Sequence, residues 1–224
     1  MQILAHRGLT QHFPENTLAA FACALAAGFA GIETDVRLTA DGEAVLFHDR
    51  VTPNGLAVAA LTRNELSHAL GYLVPTLAEA LEALPDAMWN FEIKTPAAAP
   101  AAFALIRDFA PQRRILLTSF RHEVVLAAAQ TLDVDCGLLV SHRPSALNTL
   151  LYAALPHSRL RTLVWHYEAL DPSLLQQAAA LGFHNWAYDA QTGFEHELCK
   201  EFGLDGIITD HPEHVGIETG QTLQ

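Results

Sequence analysis

The sequence predicts an α/β fold, a (β/α)8 TIM barrel with a short insertion after the second strand. Short apolar runs alternate with amphipathic, Ala- and Leu-rich segments along the whole chain. That alternation means parallel strands joined by crossover helices. Eight such repeats suggest closure into a barrel in place of an open sheet. No GxGxxG follows the first run, so an open dinucleotide-binding sheet lacks its fingerprint. The 224 residues come near the ~250 typical of one barrel. Residues 1–224 are therefore read as a single domain, with a reduced insertion at about 50–75.

Taken in order, the strands are expected at residues 3–6, 31–36, 89–94, 115–120, 136–141, 162–166, 184–188 and 206–209. Helices are expected between them at 17–27, 76–84, 97–109, 123–132, 145–155, 172–181 and 193–202, and the tail after Pro212 is the candidate for the last one. The second repeat is irregular. Asp41-Gly42 separates two extended runs and reads as a hairpin turn. Pro53-Asn54-Gly55 then reads as a loop, and residues 62–70 as a short helix. On a barrel, an excursion between a strand and its helix lies on the face where function resides.

Composition excludes several classes. The chain carries 25 acidic against 13 basic residues, a net charge of −12, and no basic run. Nucleic-acid binding needs clustered Lys and Arg to neutralise phosphates. An acidic surface also repels an anionic bilayer. A small phosphate-bearing substrate stays compatible, because a local site of metal and Arg overrules net charge. Three scattered cysteines, Cys23, Cys136 and Cys199, read as reduced thiols. With no leader-like N-terminus and no apolar run of membrane-span length, a cytoplasmic enzyme is the expectation. No heptad seam points to an oligomeric state.

The chemistry concentrates at predicted strand ends. Glu33 and Asp35 are two apart on one strand, so both point to one side of it. Glu92 and Lys94 repeat the pattern on the next core strand. In a parallel barrel these ends converge at one mouth. Converging carboxylates repel unless a cation lies among them. As hard oxygen donors they suit one divalent cation, Mg²⁺ or Ca²⁺. The plainer alternative is a set of surface carboxylates, or a Glu92–Lys94 ion pair. His6-Arg7-Gly8 closes the first strand, and His48-Asp49 closes the hairpin. Imidazoles titrate near neutrality and can take and give protons in phosphodiester cleavage. Arg7 offers a planar donor fork for a phosphate oxygen. The chain has 12 histidines, so most, His12 and His214 among them, are expected to be bystanders.

In order, His6-Arg7-Gly8, Pro14-Glu15-Asn16-Thr17, Ile32-Glu33-Thr34-Asp35-Val36, Thr39-Ala40-Asp41-Gly42, His48-Asp49, Glu92-Ile93-Lys94 and Asp205-Gly206-Ile207-Ile208-Thr209-Asp210 resemble the glycerophosphodiester phosphodiesterase family. The resemblance covers nearly the whole chain. It implies a (β/α)8 barrel that hydrolyses glycerophosphodiesters to glycerol phosphate and an alcohol. By position it implies His6 and His48 as general acid and base, and Glu33, Asp35 and Glu92 as metal ligands. Arg7 and Lys94 become phosphate contacts, and Trp186 a residue packing on the glycerol part or, alternatively, in the barrel. Asn16 either positions the first loop or caps the following helix. The sequence departs from the family at Arg50-Val51-Thr52-Pro53-Asn54-Gly55 and at Trp186-Ala187-Tyr188-Asp189. The alternatives are a lysophospholipase D-like or other phosphodiester hydrolase on the same fold, and a catalytically silent binding barrel.

Overall fold

The computed structural model describes residues 1–11 and 13–219. His12 lies outside the described residues. The elements run β1 (Gln2–His6), α1 (Leu18–Ala27), β2 (Gly31–Leu38), β3 (Ala44–Leu46), α2 (Arg63–Leu70), α3 (Leu77–Ala83), β4 (Met88–Ile93), α4 (Ala99–Phe109) and β5 (Arg114–Ser119). Then follow α5 (His122–Thr131), β6 (Asp135–Val140), α6 (Leu147–Leu151), β7 (Leu160–His166), α7 (Pro172–Ala180), β8 (His184–Tyr188), α8 (Gly193–Glu201) and β9 (Gly206–Thr209). Parallel pairing runs around from β2 through β4 to β9, and β1 pairs with both β9 and β2. The sheet therefore closes, and the expected (β/α)8 barrel is the fold. Antiparallel β3 hangs from β2, with Val36 opposite Leu46.

Strand periodicity divides the core in two. Inward positions Leu4, Leu116, Leu139, Val164, Trp186 and Ile208 fill the barrel interior. Outward positions such as Ile32, Phe91, Leu117, Leu163 and Ile207 pack with the surrounding helices. Trp89 is enclosed there, edge-on to Phe21 at 5.4 Å and stacked on Phe91 at 5.2 Å. The excursion after β2 has its own apolar nucleus of Val45, Phe47, Val58, Leu66 and Val74.

Local sequence explains where helices begin. Thr62, Thr76 and Thr192 each form a capping box with a Glu three residues on. Each box satisfies amide donors that a helix start leaves unpaired. Thr17 caps α1 by accepting from the Ala20 amide, and Gly28 ends it in the left-handed region. Two expectations are corrected. The helix expected over 145–155 is only Leu147–Leu151, because Ala146 supplies no side-chain cap and Pro156 disfavours helical geometry at Leu155. After β9 the described residues of the tail make a 3-10 turn, Pro212–Val215, ended by Gly216 at φ 74°, in place of the expected helix.

Candidate active site

Strand register assembles the polar cluster at the C-terminal mouth of the barrel. In the β1–β2 ladder His6 lies beside Glu33. In the β2–β4 ladder Asp35 lies beside Glu92. Neighbouring strands are ~4.8 Å apart, so side chains on one face meet directly. His48 is returned to the same mouth by the hairpin. The Phe47 amide bonds to the Asp35 carbonyl at 3.0 Å, and the His48 carbonyl accepts from Arg37 Nε at 2.7 Å. The loop after β1 has Arg7 and Asn16 at φ 57° and Gly8 at φ 86°. Positive φ at a residue other than glycine costs roughly 1–3 kcal/mol and persists where surroundings enforce it. Here the Arg7 amide is held by the Glu33 carbonyl, and the Arg7 carbonyl by the Asn16 amide, both at 2.9 Å.

His6, Arg7, Glu33, His48, Glu92 and Lys94 line one cavity of about 250 Å³. Asp35 lies directly beneath, 1% exposed. His6 Nδ1 is 2.8 Å from Asp210 Oδ2, and its Nε2 is 3.8 Å from Glu33 Oε2. His48 Nδ1 is 2.9 Å from Asp49 Oδ1. Lys94 Nζ bridges Glu92 Oε1 at 2.8 Å and Asp35 Oδ1 at 3.2 Å. Arg7 Nη1 donates to Glu15 Oε2 at 3.0 Å. Its Nε is 3.3 Å from Asp35 Oδ2 but makes no hydrogen bond there, so that contact is a charge pair only. Asn16 Nδ2 donates to Asp35 Oδ2 at 2.9 Å, and Asn16 Oδ1 accepts from Thr34 Oγ1 at 2.5 Å.

Burial and neighbouring charge set the protonation. Burial first, then the charge of Asp35, pushes the Glu33 carboxyl up to about 8 against the pull of His6. Burial also raises Glu92 despite Lys94. Burial would raise Asp35 as well, but Lys94 and Arg7 hold it below its ordinary value. Burial opposes a charge on His6, yet the Asp210 hydrogen bond and Glu33 prevail and raise it to about 9. His48 is lowered, by burial first, with Arg7 and Lys94 adding to it against Asp35.

The residues fit a divalent cation. One oxygen from each of Glu33, Asp35 and Glu92 falls within 4.8 Å of the others. Glu33 Oε2 is buried without a hydrogen-bond partner, and a carboxylate left in that state is costly unless a cation satisfies it. An all-oxygen set suits Mg²⁺ or Ca²⁺.

The expectation for Trp186 is corrected. It packs in the barrel interior, against Gly206, where an added Cβ would lie 2.4 Å from the indole. It lines a separate cavity formed by the other ends of the strands, with Gln2, Arg114 and His184. Tyr188, one step further along the same face of β8, reaches the mouth cavity instead. Its ring meets Phe120 edge-on at 6.0 Å. Asn16 does not cap α1, since Thr17 does. The sequence reading gave no role to Asp210, Tyr188, Asp189 or Asn90. Asn90 lines the cavity, and its Nδ2 is a buried donor without a partner among the described residues. Position at or just past the C-terminal end of an inward strand face was the available signal for Tyr188 and Asp210; Asn90 lies mid-strand on the inward face of β4, and Asp189 follows β8 at φ 65°.

Comparison with known proteins gives one consistent answer. The model of the glycerophosphoryl diester phosphodiesterase family matches residues 6–214. The chain is 31% identical over 239 residues to a glycerophosphodiester phosphodiesterase of Caldanaerobacter subterraneus subsp. tengcongensis, with 94% of each chain covered. It is 39% identical over 232 residues to a probable glycerophosphodiester phosphodiesterase 2 of Mycobacterium tuberculosis, covering 94% of this chain and 87% of that one. Its fold matches an Oleispira antarctica phosphodiesterase, solved in complex with the product sn-glycerol-3-phosphate, with TM-score 0.85 and 26% identity over 96% and 95% of the two chains.

Proposed function

The chain belongs to the glycerophosphoryl diester phosphodiesterase family and is a phosphoric diester hydrolase, and from that premise we propose that it cleaves glycerophosphodiesters to glycerol phosphate and an alcohol by metal-assisted, two-histidine catalysis. The observation that carries this reading is the convergence of His6, Arg7, Glu33, His48, Glu92 and Lys94 on one cavity above Asp35.

Glu33, Asp35 and Glu92 would hold one Mg²⁺ or Ca²⁺, which would supply Lewis acidity toward a phosphoryl oxygen. Arg7 and Lys94 neutralise the charge that gathers on the phosphoryl oxygens as the bond to the leaving group breaks. Asn16, braced by Thr34, fixes the Asp35 carboxylate, and Asp35 in turn orients both cations. Asp210 and Asp49 bind the Nδ1 atoms of His6 and His48, which leaves each Nε2 free to exchange a proton with substrate. One imidazole takes the proton of the attacking water or glycerol hydroxyl. The other delivers a proton to the departing alkoxide, which leaves the two imidazoles with exchanged protonation states; hydrolysis of a cyclic phosphate reverses both transfers, and after direct attack by water the pair resets by proton exchange with solvent. The unpartnered Asn90 Nδ2 is a ready donor to a substrate oxygen.

A lysophospholipid is the second substrate to consider, and one feature favours it. Phe13, Leu18, Tyr72 and Leu73 line a groove of about 670 Å³ next to Glu15, the partner of Arg7. Burial, and then the Glu15 charge, raises the Tyr72 phenol. Glycerol phosphate release from glycerophosphocholine and glycerophosphoethanolamine, against lysophosphatidate release from a lysophospholipid, separates the two. The glycerophosphodiester reading predicts the larger kcat/KM for the first pair. A reversed order assigns the groove to an acyl chain.

A further inference from the structure

Beyond β9 the chain gathers a second set of ligand-type side chains that hydrolysis does not use. The segment reads His211-Pro212-Glu213-His214 and forms the 3-10 turn over Pro212–Val215. With about three residues per turn, side chains three apart eclipse. The His211 and His214 rings accordingly stack, 5.3 Å apart and 25° from parallel. Glu213 Oε1 is 3.1 Å from His211 Nδ1 and 3.8 Å from His214 Nε2. Bonds of about 2.0–2.2 Å to a tetrahedral zinc ion put neighbouring ligand atoms roughly 3.3–3.6 Å apart, and the two separations bracket that spacing.

Hydrogen bonding selects the tautomer of His211. Gln191 Nε2 donates to Asp189 Oδ1 at 2.7 Å, which turns the Gln191 oxygen to His211 Nε2 at 3.3 Å. An amide oxygen only accepts, so the ring hydrogen is on Nε2. In the neutral ring Nδ1 then presents a lone pair to the Glu213 carboxylate. Two lone pairs at 3.1 Å require a cation, either a proton or a metal ion. The Gln191 contact is also the kind of outer bond that orients a metal-binding imidazole. His196 lies behind and is no ligand. It is 0% exposed, its Nδ1 donates to the Thr192 carbonyl, and its Nε2 accepts from Thr209 Oγ1, both at 2.8 Å. Its ring backs His214 at 5.2 Å and His211 at 6.0 Å.

We propose that His211, Glu213 and His214 form a second metal site, for a divalent ion of the Zn²⁺ class, separate from the all-oxygen cluster of Glu33, Asp35 and Glu92. Imidazole nitrogen suits zinc and its transition-metal neighbours, whereas Mg²⁺ and Ca²⁺ prefer oxygen. Both histidines are partly exposed, so a fourth position is open to water. The ion braces the turn that begins next to Asp210, the carboxylate bound to His6.

The test is a Zn²⁺ titration of untagged protein saturated with Mg²⁺, followed by calorimetry and thermal melting. The proposal predicts one further equivalent of Zn²⁺ and a rise in melting temperature. His214→Ala and Glu213→Gln should weaken that equivalent at least about tenfold, and Glu33→Gln should leave it intact. Co²⁺ should give the visible absorption of a tetrahedral site in wild type and lose it in His214→Ala. Three results overturn the proposal: no further equivalent, meaning the pair holds only a proton; unchanged affinity in both variants; or loss of the equivalent in Glu33→Gln alone.

Discussion

Glu33 carries the proton with the clearest consequence. Its carboxyl is pushed up to about 8, so at pH 7 it is mainly protonated, and a cation must displace that proton to use both oxygens. Binding of Mg²⁺ or Ca²⁺ should therefore release close to one proton at pH 7 and tighten as pH rises through about 8. Calorimetry in buffers of different ionisation heat reads the release directly, and a pH-independent affinity would remove Glu33 from the ligand set. His6 obeys the opposite charge logic. Its folded pKa of about 9 lies above the ordinary 6.5, so its contribution to stability is complete below 6.5 and is lost as pH rises through 9. Asp210→Asn should lower the His6 pKa in an NMR titration. The stability gap between metal-free wild type and this variant should close above pH 9. His6→Ala and His48→Ala should each lose at least about 10²-fold in turnover while still folding. That Glu33 and Asp35 share one face, as do Glu92 and Lys94, was legible in the sequence because two-residue spacing fixes the face of a strand. Trp186 shows the limit of that signal. Its face is inward, but depth along the strand decides which end of the barrel it serves, and only strand register reveals depth.

Elements differ in how firmly their sequences specify them. Threonine capping boxes at Thr62, Thr76 and Thr192 mark helix starts within the chain itself. The hairpin between β2 and β3 is equally local, since Asp41-Gly42 supplies a turn with Gly42 at φ 85°. The segment 145–155 has apolar periodicity but neither a cap nor a free C-terminus, so only Leu147–Leu151 is helical. At β8 and β9 the packing is tighter than any local signal suggests. Gly206 faces the Trp186 ring so closely that a Cβ would overlap it. Gly206→Ala should destabilise the protein by about 1–3 kcal/mol, the range for overpacking a filled core. Trp186→Leu should relieve part of that loss, so a denaturant double-mutant cycle should show less than additive effects. Full additivity would mean that the two residues do not touch.

At the scale of the whole molecule, the count of repeats was the signal for closure, because no single strand encodes a barrel. Closure is what brings His6 of β1, Glu33 and Asp35 of β2 and Glu92 of β4 to one mouth. Among the described residues no helix is long and apolar enough to cross a membrane. At the mouth the three carboxylates Glu33, Asp35 and Glu92 share a buried space, offset in part by Arg7 and Lys94. A cation bound there should stabilise the fold by mass action, about 2.7 kcal/mol at a hundredfold excess over Kd. Metal-assisted hydrolysis is measured most directly as glycerol phosphate release from glycerophosphocholine before chelation, after chelation, and after return of Mg²⁺ or Ca²⁺. Metal-assisted hydrolysis predicts loss of activity with chelator, recovery with one or both ions, and no recovery in Glu33→Gln or Glu92→Gln. Full activity in the chelated protein would contradict it.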